Sequence, residues 1–227
     1  MPITEWITEL TPTYIPLFQK PFCCNATCLS MILYRRGFGL FDQERLAQLL
    51  GAKVDEASKD LFYLPQSVGR VGEELGINTV TSAETVNELF KILNLPLQAE
   101  SVKASSIRNL AEFIHTHLEQ NHDLWTELKI HEMKGEESIH DNVIERIEHT
   151  GSGIFVTLVD PLPEYKTRIT LPVQKLERAI SNEFDRETGF LVISDLSYGQ
   201  RRISTQRSEK TKKEEISMPR QNSPLLY

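Results

Sequence analysis

Apolar residues recur at helical spacing through the first half of the chain and at strand spacing through much of the second. From Cys24 to about Arg36, Ala26, Leu29, Ile32 and Leu33 fall on one helical face; Pro21 breaks the chain before it and Gly37 is a natural stop. Asp42 caps a second helix that Gly51 ends. Leu64 to Leu75 reads as a third, with Pro65 in its first turn and Gly76 closing it. Glu84 to Leu93 places Val86, Leu89, Phe90 and Leu93 together. Ser105 and Ser106 open another helix, Ile107 to Gln120, with Leu110, Phe113, Ile114 and Leu118 inward. The first ten or so residues read as a short helix or arm ending at Thr11-Pro12-Thr13.

After Asn121 the period shortens to two. Leu124 to His131, Asn142 to Ile147 and Ile154 to Val159 read as strands, the last two joined through the Thr150-Gly151-Ser152-Gly153 turn. Asp160-Pro161 ends the third abruptly. A strand over Lys166 to Leu171, a short helix over Val173 to Ile180 and a strand over Phe190 to Ser194 complete the set. Helices first and a consecutive β-meander second predict an α+β fold, with helices packed on one antiparallel sheet. Residues 1–198 are expected to form a single domain. The chain beyond about Gln200 is charged and poor in large apolar residues, so 199–227 reads as a disordered tail.

Composition narrows the function. The 227 residues carry a net charge of -7, with a pI near 5.5, which disfavours nonspecific nucleic-acid binding. No apolar run reaches the length of a membrane span, and the amino terminus lacks a signal-peptide pattern. Cys23, Cys24 and Cys28 are the only cysteines. Their odd number and close spacing do not suit a disulfide framework, which points to a reducing cytoplasm and free thiols.

Chemistry concentrates at Cys24. A thiol in the first turn of a helix feels the positive end of the macrodipole, which favours thiolate. Gln19, five residues earlier, can add an N–H to an oxyanion hole. A cysteine nucleophile needs a base and an orienting partner. Of six histidines, His115, His117, His122 and His149 read as surface residues, whereas His131 and His140 end predicted strands. The Gly151–Gly153 turn lies about midway between His140 and Asp160, so antiparallel pairing would bring imidazole and carboxylate to one end of the sheet. Each has a plainer reading: a buried apolar cysteine, a loop histidine, a turn-initiating aspartate. Cys28 reads as core.

The run Cys24-Asn25-Ala26-Thr27-Cys28-Leu29-Ser30-Met31-Ile32-Leu33 with Gly37 resembles the nucleophile helix of the C39 peptidases, a papain-like family. His140 before a strand, then Val159-Asp160-Pro161, Arg168-Ile169-Thr170 and Leu176, resembles that family's second half, and the likeness extends over residues 14 to 181. It implies a papain-like fold with Cys24 as nucleophile, His140 as general base and acid, and Asp160 as orienter. Gln19 and the Cys24 backbone N–H would form the oxyanion hole. Asn25 stands where glycine is usual, Gln19 is one residue nearer the cysteine, and Ile139 and Asp141 replace the usual neighbours of His140. Asp141 and Asn142 are alternative partners for the imidazole. The expectation is a cytoplasmic cysteine peptidase acting on a peptide or protein substrate, without metal or organic cofactor, nucleic acid or membrane. A papain-like acyltransferase and a non-catalytic peptide-binding module are the alternatives.

Overall fold

The computed structural model describes residues 5–69, 83–129, 139–162, 167–181 and 189–196. It is an α+β structure built on a seven-stranded, mostly antiparallel sheet. In chain order the elements are β1 (Trp6–Glu9), α1 (Cys24–Arg35), α2 (Gln43–Leu50), β2 (Lys53–Val54), β3 (Ser67–Val68), α3 (Ala83–Ile92), β4 (Leu97–Lys103) and α4 (Leu110–Glu119). They continue with β5 (Asp123–Lys129), β6 (Ile139–Thr150), β7 (Gly153–Val159), β8 (Arg168–Pro172), α5 (Val173–Ser181) and β9 (Gly189–Asp195). The described residues up to Ser194 form one compact unit. The expected boundary at 198 and the tail 199–227 lie outside the described residues.

The sheet runs β4-β9-β5-β6-β7-β8, with β1 also on β6. The expected meander is therefore real from β5 to β8, but β9 returns to the far side of β5. β6 is long enough to serve two strands on one edge: its first half pairs with β5 and its second half with β1. Pairing with β6 makes Trp6–Glu9 a strand, correcting the helix-or-arm expectation. The described part of Leu64 to Leu75 is not helical either. Ser67–Val68 pairs parallel with Lys53–Val54, and the chain from 70 to 82 is outside the described residues. Leu64 and Val68 have helical spacing, but the Leu64 N–H is taken by Glu44 Oε2 and Ser67–Val68 by β2, so tertiary partners hold the segment extended.

α1 lies against β6 and α2. It is buried almost all round, including Asn25, Thr27, Ser30 and Arg35. Its polar side chains are accounted for locally: Thr27 donates to the Cys23 carbonyl at 2.7 Å and Ser30 to that of Phe41 at 2.6 Å. Its carboxyl end is anchored by charge. Arg35 Nε donates to Asp123 Oδ1 at 2.6 Å, Arg36 Nε to Asp123 Oδ2, and the Tyr14 hydroxyl to Asp123 Oδ1 at 2.6 Å. α2 is capped as the sequence implies, with Asp42 accepting from the Glu44 N–H and Gly51 left-handed at φ 75°. α4 packs against β1, β5 and β6, and α5 against β5, β7 and β8.

One irregularity in β6 decides the layout of the site. Thr150 to Arg146 pair with Gly153 to Thr157, but Ile144 then pairs with Leu158, leaving Glu145 as an extra residue. A one-residue shift exchanges the two faces of a strand. Leu158, and Asp160 two residues beyond it, thereby share a face with Ile144, Asn142 and His140. Without the bulge, Asp160 would fall on the face of Val143 and Asp141. Buried Glu145 closes the bulge, accepting from the Tyr14 N–H at 2.9 Å and from Arg168 Nε at 2.6 Å.

Candidate active site

Cys24 opens α1, with Cys23 at the N-cap. Cys23 gives no capping side chain, and the first turn holds no acid. The first N–H groups of such a helix have no intrahelical acceptor, so they are available to an incoming oxygen. Cys28, one turn further, is fully buried, as the core reading expected.

His140 and Asp160 are both buried, and their side chains meet: Nε2 lies 2.8 Å from Asp160 Oδ1. The same oxygen accepts the Leu162 N–H at 2.9 Å, which fixes the carboxylate. With Nε2 bonded to a carboxylate, the tautomer assigned by hydrogen bonding carries its proton there and leaves Nδ1 as the basic nitrogen. The expectation that the hairpin would join these two residues holds, and the Glu145 bulge is what permits it.

Gln19 is joined to the same loop. Its N–H donates to the carbonyl of Pro161 at 2.9 Å, and its half-buried side chain leaves Oε1 buried without a hydrogen-bond partner. Gln19 is thus tied through Pro161 to the Asp160 loop and Asp160 to His140, whereas Cys24 contacts Asp141, the sequence neighbour of His140.

That residue is Asp141. The half-buried Cys24 thiol donates to Asp141 Oδ2 at 3.3 Å and lies 3.4 Å from Asn25 Oδ1; the imidazole is not among its hydrogen-bond partners. Trp125 Nε1 donates to Asp141 Oδ1 at 2.7 Å. Trp125 stands opposite Val143 in the β5–β6 register, so Trp125, Val143 and Asp141 share a face, while His140 projects to the other. Sequence reasoning listed Asp141 only as a partner for the imidazole. A buried carboxylate two positions from a β-strand Val and opposite a Trp-bearing strand was the available signal.

The electrostatics reverse one expectation. The Cys24 thiol is held well above its usual range, first by burial and then by the Asp141 charge; the backbone N–H groups of Asp141 and Asn25 pull the other way. Burial and a carboxylate outweigh the helix dipole, so the resting side chain is a neutral thiol and not a thiolate. Burial also raises the Asp141 carboxyl, against the Trp125 and Cys24 hydrogen bonds and the His140 charge, which lower it.

The other histidines are more engaged than surface residues would be. His115 Nδ1 lies 2.8 Å from Thr8 Oγ1 and its ring packs on Trp6; His117 and His122 approach through their Nδ1 atoms at 3.0 Å. His131 lies outside the described residues. Among the described residues no group of three or more His, Cys, Asp or Glu is placed to hold a metal ion, and no helix is long and apolar enough to cross a membrane. No protein-family model matches this chain, and no sequence among the curated proteins matches it.

Proposed function

We propose that the protein is a cysteine peptidase of papain-like type that hydrolyses a peptide amide through a thioester on Cys24. The observation that carries this reading is the buried His140–Asp160 pair. His140 is the sequence neighbour of Asp141, which the Cys24 thiol touches, and its Nε2 is the nitrogen held by Asp160. His140 projects from the opposite face of β6, so in the reaction the thiol leaves Asp141, meets the imidazole Nδ1 at the start of the strand and gives up its proton there. The sulfur then attacks the substrate carbonyl, and the oxyanion is received by the α1 N-terminus and the Gln19 amide. His140 returns the proton to the leaving amine, and water, deprotonated by His140, releases the acid. Asp160 keeps the ring in the required tautomer and stabilises its charged form.

A second reading rests on a specific contact. The resting thiol is bonded to Asp141 and not to the imidazole, as expected of a module that keeps the groove and binds peptide without cleaving it. Incubation of the parent, Cys24→Ala and His140→Ala proteins with a mixed peptide library, read by mass spectrometry, separates the two. Products formed by the parent and lost in both variants support hydrolysis. Peptide retention without new termini supports the binding module and refutes the peptidase.

A further inference from the structure

Asp141 is nine-tenths buried, and each of its oxygens has one assigned donor: Trp125 Nε1 at 2.7 Å and Cys24 Sγ at 3.3 Å. The indole fixes the carboxylate from the β5 side, so its second oxygen faces the sulfur whatever the state of His140. A carboxylate so placed accepts a proton-bearing thiol and repels a thiolate. Among the described residues, Asp141 is the charge that acts on the Cys24 sulfur; His140, on the same strand, acts on Asp141, and Asp141, Cys24 and Asp160 act on Cys28 of α1. Lys20 and Glu44 act on neighbouring Cys23 and form an ion pair with each other. Among the described residues, Asp141 is therefore the charge in direct contact with the sulfur.

We infer that Asp141 is a latch on the nucleophile: held by Trp125, its carboxylate keeps Cys24 as an unreactive thiol until the Sγ–Oδ2 contact is broken or the carboxylate is neutralised. This rests on the reading of Cys24 as the nucleophile, and it adds a residue that the Cys-His-Asp set does not contain. The opposite role, Asp141 as the base that activates the thiol, predicts the opposite sign for its removal.

The test is the pH-dependence of Cys24 alkylation by iodoacetamide, resolved from Cys23 and Cys28 by peptide mass spectrometry. It is run on the parent, Asp141→Asn, Asp141→Ala, Trp125→Phe and His140→Ala. The latch predicts slow labelling of the parent at pH 7, rising only above the ordinary thiol range. Asp141→Asn keeps an acceptor for the indole and removes the charge, so its labelling at pH 7 should rise at least fivefold and its midpoint should move down by a unit or more. Asp141→Ala should move it in the same direction and Trp125→Phe by less. Fast labelling of the parent below pH 8, or Asp141→Asn labelling no faster than the parent, overturns the latch even if other variants fail to fold. His140→Ala reports separately: if it leaves peptide cleavage unchanged, the peptidase reading fails while the Asp141 result stands.

Discussion

Replacing Asp123 tests whether α1 is fixed by charge at the end opposite Cys24. The carboxylate is fully buried and faces two guanidiniums, Arg35 with no side-chain exposure and Arg36 with 7%, as well as the Tyr14 hydroxyl. Asp123→Ala leaves a buried cation without its anion, which costs about 3–5 kcal/mol. The Arg35 bonds to Asn121 Oδ1 and the Asn121 carbonyl remain, which sets the loss at about 4 kcal/mol. With a urea slope of about 2 kcal/mol per M, the midpoint should fall by roughly 2 M. That is a large share of the total stability of an ordinary domain. Tryptophan-fluorescence urea titrations measure it. The exposed Lys91–Glu88 pair supplies the contrast, and Glu88→Ala should leave the midpoint unmoved. Replacing all three charges together, Arg35→Met, Arg36→Met and Asp123→Leu, should recover more than half the loss, because no buried charge is left unpaired. A midpoint shift under about 0.5 M for Asp123→Ala, or a triple variant weaker than the single one, would refute the reasoning.

Two further outcomes follow from other contacts. A Cβ on Gly189 would lie 2.1 Å from the Val102 carbonyl oxygen and 3.0 Å from the Ala104 nitrogen, all backbone, so Gly189→Ala should cost about 3 kcal/mol and is read by the same titration. Cys23, raised by burial to about 12, and Cys28, raised well above its ordinary value by burial and the Asp141 charge, keep their protons in the folded state at pH values where unfolded thiols ionise. Folded pKa above unfolded pKa means that stability is full below the ordinary thiol value near 9 and falls as pH rises past it, by about 1.4 kcal/mol per unit for each thiol. Urea midpoints between pH 8 and 10.5 should therefore decline, and Cys28→Ala should flatten the slope by one thiol; a level profile would contradict the burial of both.

What could be read from the chain depended on whether its causes were local. α1 and α2 were placed within a residue or two, because Pro21, Gly37, Asp42 and Gly51 set their ends through backbone and capping chemistry. β5, β6 and β7 followed from alternation and the Gly151–Gly153 turn. β1 and β4 were missed, since each is a strand by virtue of a partner far along the chain and neither has strong alternation of its own. At the site, residue types and order pointed to Gln19, Cys24, His140 and Asp160; the fold pairs His140 with Asp160 and ties Gln19 to Pro161, while Cys24 meets Asp141. Two things stayed hidden. The Glu145 bulge has no sequence mark beyond an acidic residue in an apolar strand, yet it chooses the face on which Asp160 appears. The state of the thiol depended on Asp141 and on burial, both products of the β6–α1 packing.

The pairing of β1 with β6 sets the order in which this chain can mature. Trp6 lies opposite His149, so the first strand waits for roughly 140 residues of synthesis before its partner exists. The same delay applies to Cys24, whose companion Asp141 arrives in the same late strand. Until then Ile7 and the edge of that segment are open to other partners, and the thiol is without the carboxylate beside it. A topology so dominated by distant pairings folds slowly. The nascent protein therefore passes through a period in which its cysteine has the ordinary reactivity of an unfolded thiol, and the finished fold closes that period.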